Sequence, residues 1–262
     1  MALHFQSICS SSSGNCVSLW SQKTRLIIDC GLSSMHRTKQ ALQNYSDDFF
    51  KHTSVLITHN HSDHISYYPL RVLQDCGLDV YVHQDNIDQL KNMHFNGDKF
   101  NSLKLKSFKN SKFQIGDIAI RPFEVTHNPH FPTFGFEICC EGKKAIFVTD
   151  FCRWENIFSH FVDADFIFVE SNHDLKLLEL YYNPNSLFHM PNPQTASLLV
   201  NVIKEGRKQP GIICLGHISS QRNKPAIAIN ETKRSFRDAG IRMKFELMAA
   251  PLTVPAEIAR IE

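Results

Sequence analysis

Apolar residues along this chain fall into short β-branched and aromatic runs bounded by glycine, asparagine, aspartate and serine, the pattern of buried strands. Such runs cover Arg25–Gly31, Ser54–Ile57, Leu78–Val82, Phe134–Cys140, Ala145–Asp150, Asp165–Glu170 and Gly211–His217, with a last strand expected at Met243–Leu247. Phe113–Ile120 reads as a hairpin turning at Gly116-Asp117, its second strand continuing to His127, and Glu141-Gly142 makes a second such turn. Helical periodicity covers the segment ending at Ala41-Leu42, then Gln84–Met93, Asp174–Leu180, Pro193–Glu205 and Pro225–Ala239. Hairpins come early and strand–helix alternation late, which predicts an α/β fold of mixed sheets covered by helices.

Polar residues punctuate the pattern in a recurring place. Five strands end at their C-terminal side in a residue that can bind metal or carry a proton: His59, His127, Asp150, Glu170 and His217. In α/β sheets strand ends gather on one edge, so side chains far apart in sequence can meet there.

The 262 residues, 42% hydrophobic and 21% charged, suit one globular domain spanning 1–262. Met1 to Gly14 holds no basic, apolar leader and no run approaches a membrane span, so a soluble cytoplasmic protein is expected. Eight scattered cysteines without a C-x-x-C pair read as buried thiols rather than disulfides or metal ligands. The net charge of +2 says little, but Lys204–Lys244 carries ten basic residues against three acids. Lys99, Lys104, Lys106, Lys109 and Lys112 form a second, acid-free stretch. Each can track a phosphate backbone, and each is explained equally by a solvated helix face or a lysine-guarded edge strand.

The densest chemistry is Thr58-His59-Asn60-His61-Ser62-Asp63-His64, which follows directly on the Ser54–Ile57 run. Imidazole nitrogens with a carboxylate suit zinc, manganese or iron. One ion cannot take all four donors from so short a loop without strain. Two can, with His59 and His61 facing one and Asp63 and His64 the other. Cys9–Cys16, a small-residue loop between two short strand-like segments, is either an anion cradle or a plain turn.

His59-x-His61-x-Asp63-His64 resembles the signature of the metallo-β-lactamase-fold hydrolases. The resemblance implies an αβ/βα four-layer sandwich and further metal ligands at His127, Asp150 and His217, with Asp150 bridging two divalent ions. Such a pair, about 3.5–4 Å apart, lowers the pKa of a bridging water and clamps the oxygens of an in-line displacement. Asp63 is also placed to orient that water.

Ser10–Asn15, Glu170-Ser171-Asn172-His173-Asp174, His189 with Asn192, and Gly216–Pro225 are together similar to the YycJ/WalJ-like subfamily, which implies a nucleic-acid phosphodiesterase of exonuclease type, DNA favoured over RNA. Departures lie at Asp174–His189, which is shorter than that group's segment and lacks its usual basic residues, and at Phe188–Asn192. By resemblance to tRNA-processing phosphodiesterases, His189 is the expected proton donor to the leaving oxygen, oriented by Glu170. His173, Asn172, Ser219 and Asn192 are expected behind the ligands or against substrate. The alternatives are a small-molecule hydrolase of thioesters, lactones or small phosphodiesters, and a non-catalytic metal-binding protein. Only 66 residues separate Asp150 from His217, too few for an additional nuclease domain.

Overall fold

The central strands are apolar without strict alternation because both of their faces are covered. In the computed structural model, which describes residues 3–43, 53–95 and 100–261, fourteen strands form two seven-stranded mixed sheets. The first sheet runs in the order β14 (Ala259–Ile261), β1 (Leu3–Ser11), β2 (Gly14–Trp20), β3 (Arg25–Ile28), β4 (Thr53–Leu56), β5 (Asp79–His83), β6 (Lys104–Phe108). The second runs β13 (Glu246–Ala249), β12 (Ile212–Gly216), β11 (Phe166–Glu170), β10 (Lys143–Val148), β9 (Thr133–Cys140), β8 (Ile118–Val125), β7 (Phe113–Ile115).

Three apolar layers follow from the two-residue period of the strands. Leu26, Ile28 and Leu56 of the first sheet meet Phe136, Phe147, Phe166 and Phe168 of the second in the sandwich interior. The alternate residues Ile27, Val55 and Val80 pack under helices Met35–Gln43, Tyr67–Asp75 and Ile87–His94. Ile146, Ile167, Val169, Ile213 and Leu215 pack under Asn192–Glu205 and Pro225–Asp238. The expected helix/sheet/sheet/helix layering is therefore observed.

β3 to β6 run parallel, as do β10 to β13. β8 is antiparallel to β9 and β9 to β10, so β8 shares the direction of β10. The residues that follow β3, β4, β8, β10, β11 and β12 thus leave the sheets at matching ends.

Some boundaries differ from the sequence reading. The last long-range strand is Glu246–Ala249 rather than Met243–Leu247, because pairing starts where its partner starts, Ile212 opposite Glu246. Met243 and Phe245 are apolar because they pack beside the helices from a loop. Cys9–Cys16 is not a loop but the tip of the β1–β2 hairpin, Ser11 pairing with Gly14. Helix Tyr67–Asp75 and the strands β6 and β14 lack a strong periodic signal and were not expected. β6 is an edge strand with Lys104 and Lys106 exposed, the lysine-guarded edge among the alternatives; Lys99 lies outside the described residues. All eight cysteines are free thiols, five of them buried. Among the described residues no helix is long and apolar enough to cross a membrane.

Candidate metal centre

Six strand ends bring the polar residues to one place. Three of these residues adopt a left-handed backbone unusual for a side chain with a Cβ: Asp29 (φ 58°), Asp150 (φ 58°) and His217 (φ 48°). At each the chain turns out of a parallel strand, and the buried side chain points into the same cleft region rather than along the sheet. Backbone strain of this kind, of order 1–3 kcal/mol per residue, persists where surrounding contacts fix it.

Two donor clusters that share no residue result, and Asp150, His189 and His217 form a third group that overlaps both. His59, His61, His127 and Asp150 offer donor atoms all within 4.8 Å of one another, as do Asp63, His64 and His217. In the first, His59 Nε2 lies 2.8 Å and His127 Nε2 3.4 Å from His61 Nδ1. In the second, Asp63 Oδ2 lies 3.4 Å from His64 Nε2 and 3.3 Å from His217 Nε2. Asp150 stands between them, its Oδ2 3.1 Å from His64 Nε2 and its Oδ1 3.6 Å from His217 Nε2 and 3.8 Å from His127 Nε2.

The second nitrogen of each ring explains which face is presented. His64 Nδ1 donates to Asp29 Oδ2 at 2.7 Å, His217 Nδ1 to Glu170 Oε1 at 2.9 Å, and His127 Nδ1 to the Phe188 carbonyl at 3.0 Å. The Thr58 hydroxyl donates to Asp29 and so is left to accept from His59 Nδ1 at 3.0 Å. With these Nδ1 protons committed, Nε2 of His59, His127, His64 and His217 faces inward. His61 Nδ1 lies within hydrogen-bond distance of both His59 Nε2 and His127 Nε2. For donors about 2.0–2.2 Å from an ion, tetrahedral edges are about 3.3–3.6 Å. The 2.8 Å between His59 and His61 is closer than such an edge, while the 3.4 Å between His61 and His127 and the 3.3–3.4 Å from Asp63 to His217 and His64 suit a divalent cation. Asp150 Oδ2, buried and without a hydrogen bond of good geometry, fits it as well.

The clusters differ in electrostatics. Burial is the main cause that keeps His59 well below the ordinary histidine range and holds His61 at about 4; it lowers His127 too. Burial also opposes the charged form of His217, but Asp150, Asp63 and Glu170 override it and push that ring up to about 10. His64 is raised likewise by Asp150, Asp29 and Asp63 against the effect of burial.

Beside the clusters, Glu170, fully buried, accepts from His189 Nδ1 at 2.6 Å and from the Phe151 backbone N–H at 3.1 Å. Burial works against its ionisation, yet His189 and His217 hold it at about 2. His61, His127 and Asp150 of the first cluster, Asp63 and His217 of the second, and His189 line one cavity of about 280 Å³, with Asn172, Asn183 and Asn185 on its walls, while His59 and His64 are buried behind it.

Of the other expected residues, Asn172 reaches this cavity and also bonds the His217 carbonyl at 3.0 Å. His173, Ser219 and Asn192 are buried outside its lining. Asn192 accepts from the Ser171 hydroxyl at 2.7 Å, and the Ser219 hydroxyl accepts the Arg222 N–H at 3.2 Å, so both brace loops. The Ser10–Asn15 tip is a brace as well: the Ser10 hydroxyl accepts the His217 N–H at 2.7 Å, and the Asn15 N–H donates to the Asp63 carbonyl at 2.7 Å.

Three contributors were missed by sequence reasoning. Asp29 follows the same strand-end rule as the five residues singled out, so a signal existed. The Phe188 carbonyl carries no local signature, and Arg222, which lines the cavity, lies within the Gly216–Pro225 stretch without being singled out there.

This fold and donor arrangement define a metal-dependent hydrolase class, and the chain belongs to the metallo-β-lactamase superfamily: the profile of the beta-lactamase superfamily domain matches residues 24–218. Among similar proteins is the exodeoxyribonuclease WalJ of Streptococcus pneumoniae serotype 2 (strain D39 / NCTC 7466), 28% identical with 94% of this chain and 96% of that protein covered. The exodeoxyribonuclease YycJ of Bacillus anthracis is 27% identical, with 98% and 99% covered. The solved metallo-β-lactamase-fold protein YhfI of Bacillus subtilis shares the architecture, with a TM-score of 0.73, 15% identity and 99% of both chains covered.

Proposed function

We propose that the protein is a two-metal phosphodiesterase that removes nucleotides from nucleic acid ends, with DNA the favoured substrate. The carrying observation is the pair of donor clusters, Asp150 standing between them, on one cavity with the His189–Glu170 pair. In this reading His59, His61 and His127 would hold one ion and Asp63, His64 and His217 the other, with the Asp150 carboxylate available to both. Zinc and manganese suit these donors, and iron fits as well. The ions supply an acidified water nucleophile and neutralise charge at phosphorus.

The remaining work falls to side chains. Asp63, the more exposed carboxylate of the two, accepts a hydrogen bond from the attacking water and so orients it in the cavity. Glu170 takes His189 Nδ1–H, which leaves Nε2 as the atom available in the cavity. Burial disfavours charge on His189, but Glu170 raises its pKa above the ordinary value, which favours the protonated ring that can give up a proton. Nε2–H then protonates the leaving oxygen.

The cavity mouth supports a polymeric substrate. Tyr181 and Tyr182, 58% and 72% exposed, directly precede the lining residue Asn183, and aromatic faces beside a backbone site accept stacked bases of any sequence. The names of the two curated relatives agree with DNA as substrate.

The test is a panel of end-labelled DNA and RNA oligonucleotides, single- and double-stranded, with metal-loaded protein. Stepwise release of mononucleotides from DNA is expected, and Asp150→Ala should lose metal and activity while keeping the fold. Turnover of a thioester or lactone with every nucleic acid left intact would establish the small-molecule alternative; failure to bind any divalent ion would leave a non-catalytic protein.

A further inference from the structure

Among the described residues, Arg222 is the only lysine or arginine that lines the cavity. Its backbone is pinned on both sides: its N–H donates to the Ser219 hydroxyl at 3.2 Å, and its carbonyl accepts the Asp174 N–H at 2.8 Å. The next residue, Asn223, is buried and donates to the Ser171 carbonyl at 2.8 Å and to Asn192 Oδ1 at 2.8 Å. The guanidinium is thus carried on a rigid support.

The guanidinium itself is under-used. Among the described residues no carboxylate lies within ion-pair distance of it, whereas Arg207, Arg234 and Arg237 of the same basic stretch each have one. Nη1 donates to the neutral Gln221 Oε1 at 3.1 Å, and Nε is buried with no acceptor. A buried N–H without a partner is a cost that a folded protein retains where a ligand relieves it. The planar fork of arginine matches a tetrahedral anion through two parallel hydrogen bonds.

The cavity already provides for the phosphate that is cleaved, through the two donor clusters and His189. We propose that Arg222 binds a second phosphate of the substrate, next to the one cleaved, and so selects nucleotide chains over monoesters and neutral esters. This rests on the phosphodiesterase reading above. Asn183 and Asn185, amides without charge on the same cavity wall, suit the sugar between the two phosphates.

The test compares a deoxydinucleotide with the same dinucleotide carrying one further terminal phosphate, at either end, using wild type, Arg222→Gln and Arg222→Lys. Wild type should favour one phosphorylated form by about tenfold or more through KM. Arg222→Gln should abolish that preference with kcat and bound metal unchanged, and Arg222→Lys should restore part of it. Calorimetric titration with deoxyadenosine 5′-monophosphate, with deoxyadenosine as control, gives a readout independent of turnover, and its affinity should fall in Arg222→Gln alone.

An unaltered preference in Arg222→Gln overturns the inference, as does an equal loss on all three dinucleotides, which would mark Arg222 as structural or as a contact to the cleaved phosphate. If wild type cleaves no dinucleotide, the phosphodiesterase reading fails instead, and unchanged monophosphate affinity in Arg222→Gln then also removes the role of Arg222.

Discussion

Asp29→Asn separates the geometry of the second donor cluster from its proton arrangement. The carboxylate takes three buried protons: the Thr58 N–H at 2.8 Å, the Thr58 hydroxyl at 2.9 Å and His64 Nδ1–H at 2.7 Å. Asparagine keeps the shape and tolerates the φ of 58° as well as aspartate does, so backbone strain is unchanged. It has one acceptor oxygen where aspartate has two. If that oxygen serves Thr58, the amide N–H₂ faces His64 Nδ1, and the ring must carry its proton on Nε2, the atom that faces Asp63 and Asp150. Loss of one charged hydrogen bond costs about 1–3 kcal/mol of stability in metal-stripped protein. A ligand held in the wrong tautomer costs about 10–100-fold in metal affinity. Zinc titration by calorimetry should therefore show one binding step weakened by that factor and the step at His59, His61 and His127 unchanged. Wild-type affinity at both steps, or equal weakening of both, would refute the argument.

The remaining predictions probe the neighbouring supports. Gly31→Ala would place its Cβ 1.7 Å from the Asp63 carbonyl oxygen, so urea denaturation should show a loss beyond the usual ~1–3 kcal/mol of overpacking, together with reduced metal content. Gly142→Ala, with nothing within 4 Å but a φ of 78°, should cost only about 1 kcal/mol. His189→Ala should lower kcat by about 10²–10⁴ with both metals retained; metal loss would make His189 a ligand rather than a proton donor. Tyr181→Ala and Tyr182→Ala should raise KM for oligonucleotides and leave hydrolysis of bis(p-nitrophenyl) phosphate unchanged. Away from the site, the hydrogen bond from His160 at 3.0 Å holds Glu137 below the ordinary glutamate value of 4.5 although burial opposes it. That stabilisation is complete above about pH 4.5 and is lost as pH falls through the lowered value, so the deficit of Glu137→Gln in metal-stripped protein should be present at pH 6 and shrink toward pH 3. A deficit that persists unchanged at pH 3 would sink the assignment.

What was legible in the sequence follows a physical division. Strands buried on both faces must be apolar, so the point where polarity returns is visible in one dimension, and parallel connections send those points to one edge of the sheets. That reasoning reaches His59, His127, Asp150, Glu170 and His217 without knowledge of a single distance, and the short-range spacing of His61, Asp63 and His64 supplies the rest of the two clusters. Asp29 obeys the same rule but was absorbed into a strand taken to run on to a turn at Gly31, because the left-handed backbone that ends the strand at Ile28 has no sequence mark when the residue is not glycine. Loop residues are a different case. The Phe188 carbonyl orients His127 through an atom that every residue type possesses, and Arg222 enters the cavity from a basic stretch in which its neighbours are surface ion pairs. Composition counted that stretch as +7, yet Asp163 and Asp165, from outside it, take Arg207 and Lys208, so the sum overstated the field available to a phosphate chain. Under the proposed function the charge that would matter to substrate is the one left unpaired at the cavity, and pairing is a property of the fold.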